Sequence, residues 1–221
     1  MSVEMLAFDV AGTTLNDDGA VIAAFKKAFE STQPELWPIY GEQWTRYAIE
    51  TMGQSKIHVF TELLGDAEKA MRANQAFEKS YIDEITQIGA TPIPGAVDLF
   101  KELRSRGIAV ALTSGFSRTT LDVLLDILNW RELIDISVTP SEVKQGRPHP
   151  DMLNHAAQKL MLSVPANSIV VGDTAADMQA GIAFGASQVI GVLTGVHPHE
   201  VLIEAGATSV LHSVADLISL L

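Results

Sequence analysis

Residues 5–15 read Met5-Leu6-Ala7-Phe8-Asp9-Val10-Ala11-Gly12-Thr13-Thr14-Leu15, an apolar run that ends on a carboxylate and enters a Gly/Thr turn. A short apolar run bounded by turn residues is typical of a buried strand, so we expect a strand over residues 3–8. Ligands of open parallel sheets bind beyond the carboxyl ends of the strands. Asp9 is therefore predicted to lie where chemistry takes place.

From about residue 91 onward, short β-branched runs alternate with amphipathic helical patterns. This alternation is typical of a parallel sheet covered by helices on both faces. Because crossovers between parallel strands are right-handed, it predicts an α/β fold with one doubly wound, Rossmann-like sheet. The predicted strands are 3–8, 108–112, 134–138, 168–171, 188–191 and 209–211, and the predicted helices among them are 96–106, 119–128, 151–160 and 174–184.

The segment between the first strand and the rest of the sheet has helical periodicity throughout and no convincing strand. It predicts an all-helical insert over residues 17–89, inside a core domain made of residues 1–16 and 90–221, with hinges near 16–19 and 89–94. Pro34, Pro38 and Gly41 are expected to break the helices near its start. The predicted helices are 21–29, 43–52, 56–63 and 67–85.

Composition limits the possible partners. The formal charge of -12, with no basic block, argues against nucleic-acid binding. No apolar run approaches the roughly 20 residues needed to cross a bilayer, and a secretory signal pattern is lacking, so we expect a cytoplasmic protein without a membrane partner. The sequence has no cysteine, which excludes a thiolate nucleophile and a Cys-ligated zinc.

Polar residues follow four of the predicted strands. They are Asp9, Thr113-Ser114-Gly115, Gln145-Gly146-Arg147-Pro148 and Gly172-Asp173-Thr174-Ala175-Ala176-Asp177. Their order and spacing resemble the four motifs of the haloacid dehalogenase superfamily, and the predicted insert resembles that superfamily's helical cap. The resemblance covers essentially the whole chain.

The resemblance implies roles in phosphoryl transfer. Asp9 would be the nucleophile that forms an aspartyl-phosphate, which water then cleaves. Gly12 would permit a tight turn, so that the amides from Val10 to Thr13 cradle the phosphoryl group. Thr113, with the amides of Ser114 and Gly115 at a helix start, would bind phosphoryl oxygens, and Arg147 would offset charge between nucleophile and phosphoryl group.

A metal site is also implied. Asp173 and Asp177 lie four residues apart across a strand-to-helix turn, near the same pole of the sheet as Asp9. Hard oxygen ligands suit Mg²⁺, which lets an anionic phosphoryl group approach an anionic nucleophile. By resemblance, Asp9, the backbone carbonyl of Ala11 and Asp173 would contact the metal, with Asp177 close by or behind them.

The alanine at position 11 limits the reactions that the predicted site can catalyse. Most phosphatases of the superfamily carry a second aspartate at this position, which protonates the leaving alkoxide and later activates water. The phosphonatases, or phosphonoacetaldehyde hydrolases, have an alanine there and form a Schiff base between a cap lysine and the substrate aldehyde. The run Met52-Gly53-Gln54-Ser55-Lys56-Ile57 resembles their cap motif, which makes Lys56 the candidate lysine, with Met52 and Gly53 shaping the approach to it.

Several readings of the function stay open. The leading one is cleavage of a small phosphonate such as phosphonoacetaldehyde. One departure from the phosphonatase pattern leaves room for an alternative, since the phosphonatases usually have a histidine where this chain has Val59. The main alternative is a phosphatase of phosphoglycolate type, in which His58 or a water supplies the missing acid. A dehalogenase and a binding protein on a retired hydrolase core fit less well, since the acidic pair Asp173/Asp177 and the nucleophile are intact. A homodimer is possible.

Overall fold

A computed structural model describes residues 3–16, 18–162 and 165–220; the predicted domain limits at residues 1, 17 and 221 lie outside them. The strands of its main sheet are β1 (Met5–Phe8), β4 (Ala109–Thr113), β5 (Ile136–Val138), β6 (Ser168–Gly172), β7 (Gln188–Val192) and β8 (Ser209–Leu211). All six are parallel, in the order β5-β4-β1-β6-β7-β8. The predicted doubly wound α/β fold is confirmed.

Strand β1 is buried on both faces, which explains its uninterrupted apolar sequence. Leu6 and Phe8 pack into one apolar layer, whereas Met5 and Ala7 pack into another. The helices of the core are α5 (Ala96–Ser105), α6 (Arg118–Ile127), α7 (Asp151–Lys159), α8 (Ala175–Phe184) and α9 (His199–Glu204), and short 3-10 helices cover Pro140–Glu142, Pro165–Asn167 and Val214–Leu220. With β1 at the centre of the sheet, Asp9 leaves it between the two layers.

Four helices form the insert, which we define as residues 20–88. They are α1 (Ala20–Thr32), α2 (Trp37–Glu50), α3 (Lys56–Leu64) and α4 (Ala67–Ile88). Aromatic rings fill its centre, where Phe29 contacts Trp44 and Phe60 at centroid distances of 4.3 and 5.2 Å. No helix of the described residues is both long enough and apolar enough to cross a membrane.

The prediction that Pro38 and Gly41 break helices is wrong, because both lie inside α2. Pro38 is in the first turn, where its missing N–H costs no hydrogen bond. A Cβ on Gly41 would lie 2.9 Å from the ring of Trp37, so glycine is needed for close packing. The helix therefore begins six residues before the predicted start at residue 43.

A two-stranded antiparallel ribbon joins the two ends of the insert to the core. Strand β2 (Leu15–Asn16) pairs with β3 (Thr91–Pro92), and the Ile93 amide donates to the Thr14 carbonyl at 2.8 Å. The sequence did not predict this ribbon, because two residues a strand give no periodicity. It lies at the predicted hinges.

Candidate active site

Four charged side chains meet at the carboxyl ends of the central strands. Asp9 follows β1, Asp173 follows β6, Asp177 lies in the first turn of α8, and Arg147 comes from the loop before α7. All four are buried. Arg147 Nη1 lies 2.7 Å from Asp9 Oδ1 and also contacts Asp177 Oδ1. The structure thus places the predicted cation between the predicted nucleophile and a second carboxylate.

Three of these side chains could hold a metal ion. Asp9, Asp173 and Asp177 each offer a carboxylate oxygen, and these oxygens lie within 4.8 Å of one another. Burial first, and the charge of Asp9 second, raise the pKa of Asp173 to about 7, although hydrogen bonds to its oxygens act in the opposite direction. A divalent cation that prefers oxygen ligands would offset this excess of negative charge. The donor set therefore fits Mg²⁺.

Asp177 contacts both Arg147 and the start of α8. Its Oδ1 accepts from Arg147, and its Oδ2 accepts from the backbone N–H of Thr174, at 3.1 Å, and from the Thr174 hydroxyl. Thr174 and Asp177 form a capping box at the start of α8. Through these contacts Asp177 holds Arg147 and the start of α8 in place.

The predicted cradle of amides between Val10 and Thr13 needs correction. The Gly12 and Thr13 amides donate inside the turn, to the carbonyls of Leu15 and Val10. Among the described residues, the amides of Val10 and Ala11 have no such partner. Gly12 and Thr13 act on Asp173 instead. The Thr13 hydroxyl donates to Asp173 Oδ1 at 2.9 Å, and a Cβ on Gly12, whose φ is +87°, would lie 2.7 Å from Asp173 Oδ2.

The second predicted anion-binding segment also differs in detail. Thr113 is the last residue of β4 and is buried. The Ser114 amide donates to the Val138 carbonyl at 3.2 Å, and the Ser114 hydroxyl accepts from the Phe116 amide, so the predicted role of the Ser114 amide needs correction. Helix α6 begins at Arg118, three residues beyond Gly115. Among the described residues, neither the Thr113 hydroxyl nor the Gly115 amide has a hydrogen-bond partner, so both keep their predicted availability.

The loop between α2 and α3 brings Lys56 to a cavity beside Asp9, the predicted nucleophile. Lys56 is the first residue of α3, and its Nζ lies 3.5 Å from Met52 Sδ. Lys56, Met52 and Gly53 line the same cavity of about 30 Å³ as Asp9 and Ala11. Ser114, Gly115 and Arg147 line its core side. Lys56 and Ala11 are far apart in the sequence but line the same cavity.

A fifth segment, which sequence reasoning missed, supports the site. In the loop after β7, the Thr194 hydroxyl donates to the Gly12 carbonyl at 2.7 Å, and the Val196 amide donates to Asp173 Oδ2 at 2.9 Å. His197 is buried, and its amide donates to the Asp173 carbonyl at 3.3 Å. The available signal was Thr194-Gly195, three residues beyond the predicted strand 188–191, since polar residues that follow a strand marked the other segments.

A match to a family model supports the motif assignment. The model of the haloacid dehalogenase-like hydrolases matches residues 3–185. The chain belongs to this family. The sequence-based recognition and the prediction of a hydrolase are therefore confirmed.

Individual relatives of this haloacid dehalogenase-like hydrolase include both phosphonatases and phosphatases. A phosphonoacetaldehyde hydrolase of Bacillus mycoides is 31% identical over 217 residues, which cover 88% of this chain and 77% of that protein. A bifunctional riboflavin kinase/FMN phosphatase of Arabidopsis thaliana is 28% identical over 95% of this chain, which spans only 53% of that protein. The crystal structure of a hydrolase from Pseudomonas syringae superposes with a TM-score of 0.84 at 25% identity, covering 98% of this chain and 96% of that one.

The insert of this haloacid dehalogenase-like hydrolase sits directly on its core. A Cβ on Gly115 would lie 2.6 Å from the Gln54 carbonyl oxygen and 3.1 Å from that of Gly53. Gly53 has φ +87° and packs against Thr174 on the other side. These approaches place the insert over the cavity of about 30 Å³, which has room for little more than a water molecule. We refer to this placement of the insert over Asp9 as the closed arrangement.

A larger groove of about 590 Å³ adjoins this cavity between the insert and the core. Lys56, Gly115 and Arg147 line both spaces. His58, the alternative proton donor, is exposed and lines the groove, and it does not line the cavity beside Asp9. In this closed arrangement, Lys56 is nearer to the predicted site of chemistry.

Proposed function

We propose that this hydrolase is a Mg²⁺-dependent phosphonatase that cleaves the carbon–phosphorus bond of a small phosphonate such as phosphonoacetaldehyde. The observation that carries the proposal is the cavity shared by Asp9, Ala11 and Lys56. A carboxylate and an amine border one small space, and Ala11, which also lines it, offers no acid. The phosphonoacetaldehyde hydrolase of Bacillus mycoides, 31% identical to this chain, supports this proposal.

The core supplies the phosphoryl acceptor. Asp9 would attack phosphorus through a carboxylate oxygen and form an aspartyl-phosphate. Arg147 holds Asp9 by one nitrogen, while its Nε is buried without a partner among the described residues and is a donor suited to a phosphoryl oxygen. Asp9, Asp173 and the Ala11 carbonyl would hold Mg²⁺. When bound, the ion would reduce the repulsion between nucleophile and phosphoryl group.

The insert supplies the electron acceptor. The Lys56 amine would add to the substrate carbonyl and lose water, giving an iminium ion. As phosphorus transfers to Asp9, the electron pair of the carbon–phosphorus bond would enter this iminium and form an enamine. Protonation of the enamine carbon and hydrolysis of the imine would release acetaldehyde and free Lys56. Water would then cleave the aspartyl-phosphate to phosphate, so no alkoxide has to be protonated at Ala11.

Trapping of Lys56 tests the proposal. Borohydride added with phosphonoacetaldehyde should attach the reduced imine to Lys56 and stop turnover, as read by peptide mass analysis and phosphate release. Lys56→Gln should lose both trapping and carbon–phosphorus cleavage. Lys69→Gln, an exposed lysine elsewhere in the insert, should retain both. Normal turnover of phosphonoacetaldehyde by Lys56→Gln would contradict the mechanism.

Closure of the insert is part of the proposal, and Gly115→Ala tests it. The new methyl group would meet backbone oxygens of Gln54 and Gly53, which cannot move without the insert. We expect kcat/KM to fall by on the order of 100-fold, since a displacement of about 1 Å has such an effect on reacting groups. Gly146→Ala is the control, because its nearest neighbour would lie at 3.4 Å, an ordinary contact. Equal activity of the two variants would show that closure does not need this contact.

A second candidate function is hydrolysis of small phosphate monoesters, and the groove favours it. Its 590 Å³ falls in the range of about 300–1,000 Å³ typical of small-molecule sites and would accept a leaving group larger than acetaldehyde. Phosphate release from esters that is undiminished in Lys56→Gln would select this function over the phosphonatase. The cytoplasmic location and the homodimer stay predictions.

A further inference from the structure

His197 joins the core to the insert at a place that no motif of the sequence marks. We infer that His197 is a positioning residue that latches the insert in its closed position over Asp9. The inference rests on the proposed function, in which closure brings Lys56 to the nucleophile. It is carried by the contacts of the two ring nitrogens, one on each side of the boundary.

The contact of His197 with the core determines which ring nitrogen carries the proton. Nδ1 of His197 lies 2.9 Å from the Ala175 backbone nitrogen and accepts its N–H at the start of α8. With Nδ1 as an acceptor, the proton of the neutral ring is on Nε2. The ring therefore presents one N–H donor towards the insert.

The insert side of the contact is the end of α2. Nε2 of His197 lies 3.4 Å from the Ile49 carbonyl oxygen, one residue before the end of the helix at Glu50. The same carbonyl accepts from the Met52 amide at 3.1 Å, which begins the loop to Gly53 and Lys56. A hydrogen bond to Ile49 therefore restrains the segment that carries the candidate Schiff-base lysine.

The core anchors the latch firmly enough for it to position the insert. The loop of His197 is fastened to the site by the Thr194 hydroxyl on the Gly12 carbonyl and by the Val196 amide on Asp173 Oδ2. The His197 amide adds a third bond, to the Asp173 carbonyl. Because the ring is also buried, it has a fixed place from which to hold the insert.

Two substitutions separate the contacts of the ring. His197→Asn places an acceptor near the position of Nδ1 and can keep the bond from Ala175, but it is too short to reach Ile49. His197→Gln places an amide N–H near the position of Nε2 and can keep the bond to Ile49. If His197 latches the insert, the insert should open in His197→Asn and stay closed in His197→Gln. If His197 only supports the core, His197→Gln should have the larger effect.

The opening can be measured without turnover. Because the chain has no cysteine, Glu42→Cys on α2 and Glu200→Cys on α9, both exposed, take a pair of spin labels at defined places. Pulsed dipolar spectroscopy should give longer and broader label distances in His197→Asn than in the parent pair, and a distribution like the parent's in His197→Gln. Thermal unfolding of each variant reports whether it is folded.

Kinetics give a second readout in the variants without labels. If the closed form is less populated, His197→Asn should raise KM by about threefold to tenfold with kcat nearly unchanged, and His197→Gln should restore KM. Unchanged label distances in folded His197→Asn would overturn the latch, as would failure of His197→Gln to restore them. A wild-type protein that releases no phosphate from phosphonates or esters would instead refute the proposed function, while the distances still decide the latch.

Discussion

Replacing Asp9 by asparagine is expected to lower phosphate release by on the order of 10⁴-fold or more, because the amide oxygen cannot form the covalent phosphoryl intermediate. The effect should be the same for phosphonates and for phosphate esters, since both proposed reactions begin with attack by Asp9. Phosphate release measured with saturating substrate and Mg²⁺ gives the loss. Acid-quenched wild type should carry phosphate on the peptide that contains Asp9, and the variant should not.

The loss should come without unfolding. The amide oxygen introduced by Asp9→Asn can still accept from Arg147 Nη1, which lies 2.7 Å from Asp9 Oδ1 in the wild type, and the change removes one negative charge from a crowded cluster. Thermal unfolding should therefore occur at a temperature no lower than that of the wild type. Asp98→Asn, on the exposed face of α5, is the matched control and should keep full activity. Substantial phosphate release by Asp9→Asn would assign the nucleophile to another residue.

Local sequence was enough to predict the residues that end strands. An apolar run such as Met5–Phe8 has to be buried, and in a parallel sheet its end lies beside the ends of its neighbours. For this reason Asp9 and Asp173, which follow adjacent strands β1 and β6, could be expected to meet. The alternation of strand and helix patterns along the chain predicted the α/β fold. The structure shows this fold and places Asp9 near Asp173.

Contacts that depend on packing between distant segments could not be predicted. The Thr13 hydroxyl bonds Asp173, and His197 bonds Ala175 and Ile49, across long separations that no local pattern encodes. The sequence also could not show that the Gly12 amide bonds inside its turn and that the Ser114 amide bonds the end of β5, so both amides were predicted to bind a phosphoryl group. A residue type at a strand end indicates what chemistry is available, but not which of its groups is already engaged.

Asp173→Asn is expected to stabilise the metal-free protein at pH 8, although it removes a residue of the active site. The pKa of Asp173 is raised from 3.8 to about 7, chiefly by burial and then by Asp9. Between these values the folded protein keeps a proton that the unfolded chain has released, so this group's contribution to the free energy of unfolding falls as pH rises from about 4 to 7. The substituted asparagine does not ionise, and its amide oxygen can still accept from the Val196 amide. In EDTA, the variant's gain in unfolding temperature should be large at pH 8 and small near pH 4.

Magnesium should reverse this order. A metal requires the ionised carboxylate, so Mg²⁺ should raise the unfolding temperature of the wild type more at pH 8 than at pH 5. It should not raise that of Asp173→Asn, which should also lose phosphate release. Asp98→Asn should follow the wild type in both solutions. Stabilisation of Asp173→Asn by Mg²⁺ equal to that of the wild type would place the metal elsewhere, whereas an unchanged unfolding temperature in EDTA at pH 8 would show that the buried carboxylate is compensated by the protein alone. Within the described part of the chain, three buried carboxylates share one arginine. The resulting repulsion destabilises the metal-free protein, and the same repulsion favours binding of a cation.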